Sequence, residues 1–415
     1  MTKSLTRRTF LHTALVATAG VLFGRPQAWA LRSAEPLSPP KRLIVIFLRG
    51  AVDGLSVVIP YGDPRYYAAR PTIAIPRAGD TSVLPLDAYF GIHPALTPVI
   101  PLWKEESLAF VHACGSPDPS RSHFDAQAYM ESGTPGQRRT PDGWMNRLLT
   151  VLSETAGAST AVSIGPTVAP ILSGPAPVTN LALGRGAGQS LPLDRPRIAA
   201  AFDRLYHGGD PLSRAYRAGQ IGRQRLSAEL DAEQQRADGD APLPVRFAQD
   251  ARQLARLLGR DPSIRLVFLP LGGWDTHVNQ GASSGQLATH LRALAEGVAT
   301  LRTELGRAYA ETVLLILSEF GRTVHENGNG GTDHGHGNVM WVLGGKVRGR
   351  KVYGQWPGLA ATSLYEGRDL AVTTDFRAVL GAVLHDHLGV ESERLERVLP
   401  GASLMRHRVS GLVRG

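Results

Sequence analysis

The chain has 415 residues, 43% hydrophobic and 20% charged, a globular composition with length for one large core or two smaller ones. The formal net charge is +9, but residues 1–30 supply Lys3, Arg7, Arg8 and Arg25 and no acid. The remainder therefore carries +5 (9 minus 4), too weak a basic balance to argue for a nucleic-acid partner.

Taken in chain order, "MTKSLTRRTFLHTALVATAGVLFGRPQAWA" opens with the Arg7–Arg8 pair, then Phe10 and Leu11, an apolar run from Ala14 to Phe23, and "AWA" at 28–30. This pattern reads as a twin-arginine export signal cleaved after Ala30. It makes the twin-arginine export machinery a partner and the location periplasmic or secreted. The apolar run is short for a bilayer, so no stable membrane span is expected after cleavage; an uncleaved anchor is the alternative. Residues 31–40 ("LRSAEPLSPP") read as a flexible leader. The single cysteine, Cys114, excludes an intramolecular disulfide. It ends an apolar run and reads as a buried structural thiol rather than a reactive one. Export in the folded state lets a chain load a metal or cofactor before leaving.

Five continuous apolar runs predict buried strands: 42–48 ("RLIVIFL"), 108–113 ("LAFVHA"), 264–271 ("IRLVFLPL"), 312–317 ("TVLLIL") and 338–345 ("NVMWVLGG"). Between them lie amphipathic helices. One has Phe247, Ala251, Leu254 and Leu258 on a face. Another has Leu287, Leu291, Leu294, Val298, Leu301 and Leu305. A third is capped by Asp375 and runs into "FRAVLGAVLHDHL". Ser122 is placed to cap a further helix, "HFDAQAYMESG", ending at Gly133. Strands alternating with helices predict an α/β fold with a mostly parallel central sheet flanked by helices. Residues about 155–240, rich in Gly, Pro and Ala and then in charge, read as an inserted cap within a single domain spanning 41–415.

In open parallel sheets, ligands bind beyond the carboxyl ends of the strands. Asp53 follows the first strand, Asp275 and His277 the third, Glu319 the fourth, and Asp333, His334 and His336 precede the fifth within "GNGGTDHGHGN". Mixed Asp, Glu and His sets suit zinc, manganese or iron, and one or two divalent ions would serve an anionic substrate. Each motif has a plainer reading: Asp275 as a helix cap, Glu319 as a strand-end carboxylate, the glycine loop as a solvated turn. At "SPDPSRSHFDAQ", Ser122 at a helix N-terminus suits an anion or a nucleophile that forms an ester with one, and Arg121 suits the anion's oxygens; a plain cap is the alternative.

The motifs "LRGAVDGLSVVIPYGDPRYY", "DPSRSHFDAQAYMESG", "GGWDTHVNQ", "LSEFGRT" and "GTDHGHGN" together resemble the family named domain of unknown function 1501. In order and spacing, the chain resembles the wider alkaline phosphatase-like superfamily, with its sulfatases and cofactor-independent phosphoglycerate mutase. The resemblance implies an alkaline phosphatase-like catalytic domain. It puts the nucleophile on Ser122, with His123 as the rival one residue along, and ligands on Asp275, His277 and His336. The chain departs from the pattern in three places, one being an Asp275–His277 spacing shorter than usual. Arg49 stands where the superfamily ends its first strand in Asp, and Glu319–Phe320 stands where it has an Asp-His pair; Asp333 and His334 are the candidates to replace that pair. The implied activity is a metal-dependent hydrolase or transferase acting on a small phosphate or sulfate ester. The alternatives are a non-catalytic periplasmic binding protein that keeps the fold, and a metal-free serine hydrolase. Against the last, Ser122 has no G-x-S-x-G around it.

Overall fold

The computed structural model describes residues 39–137, 140–156, 159–165, 167–181, 237–239, 241–401, 409 and 411–414. The expected export signal and nearly all of the leader lie outside these residues. The chain divides into two compact units, Met1–Pro40 and Lys41–Gly415, and the second is described below.

Its strands, in order, are β1 (Arg42–Leu48), β2 (Val58–Ile59), β3 (Leu84–Pro85), β4 (Gly91–Ile92), β5 (Leu108–Gly115), β6 (Thr160–Ile164), β7 (Val178–Leu181), β8 (Ile264–Leu271), β9 (Thr312–Ser318), β10 (Asn338–Gly344), β11 (Lys351–Tyr353) and β12 (Thr374–Asp375). The central sheet has the order β11-β5-β10-β9-β1-β8-β6-β7, with β12 also paired to β5. All its pairings are parallel except those of β10, which runs antiparallel to both β5 and β9. A small antiparallel sheet is made by β2, β4 and β3.

Every residue of β1 is buried, because helices cover both faces of the sheet. Ile44, Ile46 and Leu48 pack with the helices Phe247–Arg260 and Gln286–Leu305. Leu43, Val45 and Phe47 pack with Trp144–Ala156 and Phe376–Asp386 on the other side. Each large aliphatic side chain buried in this way contributes about 1.5–3 kcal/mol. Asp375 caps the last of these helices, accepting from Arg377 N–H at 2.8 Å.

The run expected as a cap begins differently. β6 and β7 lie within it, yet they extend the central sheet beyond β8. Their five and four residues include Ser, Thr and Asn, so they lack the continuous apolar signal of the inner strands. Residues 182–236 of that run lie outside the described residues.

Candidate metal centre

The carboxyl ends of the parallel strands and the start of the antiparallel β10 share one edge of the sheet. The loop from β8 carries Asp275 and His277 there; β9 runs out into Glu319 and Arg322. The helix His123–Ser132 follows β5, with Ser122 as its cap, accepting from Asp125 N–H at 3.4 Å. This cap turns His123 inward, where it is 8% exposed, and leaves Ser122 at the surface.

The glycine loop reaches the same edge by backbone packing. Gly335 N–H donates to Gly321 O at 2.8 Å, and Gly321 N–H to His336 O at 2.8 Å. A Cβ on Gly335 would lie 2.4 Å from the Arg322 carbonyl carbon, and one on Gly331 2.4 Å from that of His277. These glycines permit backbone to lie on backbone; the loop is a fixed part of the site, not a solvated turn. Gly50, at φ +107°, serves likewise, since a Cβ there would stand 2.7 Å from Asp275 N.

Three imidazoles and one carboxylate converge. His334 Nε2 is 3.0 Å from His123 Nε2 and 2.9 Å from His277 Nε2. Asp275 stands among them, with Oδ2 3.5 Å from His123 Nε2, and Oδ1 3.1 Å from His277 Nε2 and 3.5 Å from His334 Nε2. The other nitrogen of each ring faces an oxygen that can only accept. His123 Nδ1 donates to Glu319 Oε1 at 2.8 Å, His277 Nδ1 to Asp333 Oδ1 at 3.1 Å, and His334 Nδ1 to the Arg121 carbonyl at 2.9 Å. These partners assign the tautomers: each neutral ring carries its lone pair on Nε2. Two such nitrogens at this distance are reconciled either by a proton on one of them, as on a protonated His123, or by a metal ion between them. A tetrahedral ion bonded to nitrogen at about 2.0–2.1 Å sets its donors about 3.3 Å apart, close to the separations here. The residues therefore fit a divalent ion, held most compactly by His123, Asp275 and His334, whose ligand atoms lie within 4.8 Å of one another, with His277 alongside.

The electrostatics agree. Burial disfavours a charged His123, but hydrogen bonds to Asp275 and Glu319 outweigh it and raise its pKa to about 9. Burial also opposes ionisation of Asp275, yet the three imidazoles and Arg322 hold it far below the usual carboxylate range. Such a cluster attracts positive charge.

Not every expected residue joins this group. Asp53 is fully buried and accepts from Arg70 NH1 at 2.5 Å, Arg70 NH2 at 3.0 Å, Ser56 Oγ at 2.7 Å and Gln280 Nε2 at 2.8 Å. Its oxygens are committed to that network, so it is not brought to the cluster. Glu319 sits behind His123: its carboxylate accepts from Gly50 N–H at 2.9 Å, Gln127 Nε2 at 2.9 Å and Ser318 Oγ at 2.9 Å. Asp333 likewise orients His277 from behind. His336, which the resemblance placed among the ligands, instead stacks on Tyr365 with ring centroids 4.6 Å apart. Extended backbone would put residues two apart on the same side, so the division comes from the local packing of the loop: His334 Nδ1 donates to the Arg121 carbonyl at 2.9 Å and its ring meets the cluster, while His336 lies against Tyr365. Arg121 pairs with Asp369 at 2.7 Å and Glu366 at 2.6 Å, so its guanidinium is not free for an anion. Asp275 caps no helix; the next begins at Gln286. Phe320 forms an apolar floor, its ring 4.9 Å from that of His123 and 5.2 Å from that of His334.

Two residues went unnoticed in the sequence. Arg322 is fully buried and donates from NH2 to Asp275 Oδ1 at 2.6 Å. Gln127 donates to Glu319 and also to the Ala237 carbonyl at 2.5 Å. A basic residue three positions after a strand-end carboxylate was the available signal for Arg322.

No helix among the described residues is long and apolar enough to cross a membrane. No curated protein matches the chain. Among solved structures, similar ones include the C-terminal periplasmic domain of EcEptC from Escherichia coli in complex with Zn. That match has 12% identity, 74% of this chain and 73% of the other covered, and a TM-score of 0.35. A protein in the alkaline phosphatase superfamily from Vibrio parahaemolyticus is 8% identical, with 76% and 63% covered and a TM-score of 0.36. A 2-O GAG sulfatase is 11% identical, with 86% and 72% covered and a TM-score of 0.39. The model of the family described as protein of unknown function, DUF1501, matches residues 110–399, more than half of the 415, and the chain belongs to that family.

Proposed function

We propose that this chain is an exported metal-dependent enzyme, a hydrolase or transferase acting on a small phosphate or sulfate ester. The observation that carries the reading is the set of three imidazoles, each anchored through Nδ1 to an accepting oxygen, with Nε2 atoms meeting at Asp275. Anchoring of this kind orients ligands and fixes their tautomers. His123, Asp275, His277 and His334 would hold the ion, which when bound would supply Lewis-acid charge to an ester oxygen. Zinc, manganese and iron all suit this donor set.

The remaining chemistry belongs to the chain. Ser122 is exposed at the N-terminus of its helix, next to His123, where the helix end favours negative charge by about 0.3–1 kcal/mol. In the proposed reaction its Oγ bonds to phosphorus or sulfur as the bond to the leaving alcohol breaks. The Oγ proton leaves and the alcohol oxygen gains one; water, or an acceptor alcohol in a transferase, then cleaves the seryl ester. His123, facing the cluster, is better placed as a ligand than as the nucleophile.

Elemental analysis of protein recovered from its native compartment, with a panel of phosphate and sulfate esters, tests this reading. Ser122→Ala is expected to abolish turnover and keep the metal. Full activity in that variant removes Ser122 from the mechanism, and absence of metal in the wild type removes the metal centre. Metal without turnover of any ester supports the non-catalytic binder. For export, replacing Arg7 and Arg8 by Lys is expected to leave the precursor in the cytoplasm.

A further inference from the structure

We infer that the centre holds a single divalent ion, and that the guanidinium of Arg322 occupies the electrostatic place a second ion would take. The inference rests on the metal reading above and deepens it.

Four observations support it. First, Arg322 has a side chain with 0% exposure, and among the described residues its one ion-pair partner is Asp275 Oδ1, at 2.6 Å. A buried charge is tolerated when paired, so this carboxylate and this cation form a unit. Second, Arg322 Nε and NH1 are buried with no hydrogen-bond partner among the described residues. The guanidinium is thus not spent on a structural network, unlike that of Arg70, which uses Nε, NH1 and NH2 on Val324 O, Asp53 and Thr323 O. What Arg322 supplies at this place is charge. Third, Asp275 Oδ1 is already taken by Arg322 and approached by His277, so Asp275 has only Oδ2 uncommitted and cannot readily bridge two ions.

Fourth, two of the carboxylates expected as ligands are already committed. Asp53 is bound to Arg70, and Glu319 accepts four hydrogen bonds. Arg49, at the end of β1, is a second buried cation at this edge, paired with Glu131 at 2.6 Å. Among the described residues, one group of His, Asp and Glu converges closely enough to hold an ion. Two buried guanidinium groups, those of Arg322 and Arg49, thus bring fixed positive charge to this edge of the sheet.

The test uses the full-length chain stripped by a chelator and titrated separately with zinc(II) and manganese(II). Ions per chain are counted by elemental analysis, and affinity is measured by calorimetry. The variants are Arg322→Gln, which keeps a donor toward Asp275 and drops the charge, and Arg322→Lys, which keeps the charge. The wild type and the Lys variant are expected to bind one ion with affinities within a few fold. Arg322→Gln is expected to bind the first ion at least roughly tenfold tighter, because a like charge beside the same carboxylate has gone. Two ions in the wild type, or a Gln variant that binds no tighter, overturns the inference while leaving the metal centre standing. No ion in the wild type overturns the metal centre and this inference with it.

Discussion

Glu319→Gln keeps the side-chain shape and removes one buried charge. Its Oε1 accepts from Gly50 N–H at 2.9 Å, Gln127 Nε2 at 2.9 Å and His123 Nδ1 at 2.8 Å, and its Oε2 from Ser318 Oγ at 2.9 Å. Hydrogen bonds to a charged group contribute about 1.5–3 kcal/mol, against about 0.5–1.5 kcal/mol for neutral pairs. Neutralising the acceptor should therefore cost about 1 kcal/mol per donor, or about 4 kcal/mol for the set. A second route agrees. Although burial opposes ionisation, His123 and Gln127 lower the Glu319 pKa from its ordinary 4.5 to about 2. At 1.36 kcal/mol per pH unit this corresponds to about 3 kcal/mol. Because the folded value is depressed, that stability is present above pH 4.5 and is lost as pH falls toward 2. Urea unfolding with chelator present should show Glu319→Gln less stable by about 3–4 kcal/mol at pH 7, and the gap should shrink to less than half by pH 3. A gap below about 1 kcal/mol at pH 7, or one that does not narrow in acid, refutes the reasoning. With metal present, the variant should also bind the ion about 10–100-fold more weakly, since His123 loses its charged anchor.

Asp53→Asn leaves Arg70 buried without its counter-ion and should cost about 3–5 kcal/mol in denaturant unfolding. The number of ions bound per chain should stay unchanged; a lost ion would make Asp53 a ligand after all. His334→Ala should reduce bound metal sharply, whereas His336→Ala should keep it, as read by elemental analysis; the reverse order would reject the geometry of the loop. Gly335→Ala should destabilise by about 1–3 kcal/mol, because its Cβ would stand 2.4 Å from the Arg322 backbone, and should weaken metal binding with it. A variant as stable as wild type would mean that the loop has room to shift.

The inner strands were legible because helices on both faces require uninterrupted apolar runs. The run 264–271 is β8 as expected, and 312–317 differs from β9 by one residue. The helix caps at Ser122 and Asp375 were legible for a local reason: short polar side chains before an amphipathic stretch satisfy free N–H groups. Convergence of Asp275, His277, Glu319 and the glycine loop at one edge followed from strand order and the rule for parallel sheets. β6 and β7 were not legible, since strands of five and four residues interrupted by Thr, Ser and Asn give no continuous apolar run and read as part of a polar insertion.

By itself, then, the sequence determined the five inner strands, the main amphipathic helices and the edge of the sheet that collects the ionisable groups, since these depend on local periodicity and strand order. The tertiary structure decided which of those groups face one another. Whether Asp53 meets an ion or Arg70 depends on a residue 17 positions away, and whether Glu319 is a ligand or an anchor depends on His123, 196 positions away. That His334 meets the cluster while His336 meets Tyr365 depends on the loop being held, through Gly335 and Gly321, against the segment that follows β9. No spacing rule encodes such pairings, because a carboxylate or an imidazole has the same local signature whether it binds a cation, an arginine or another ring; only the partner that folding brings within about 3 Å distinguishes them.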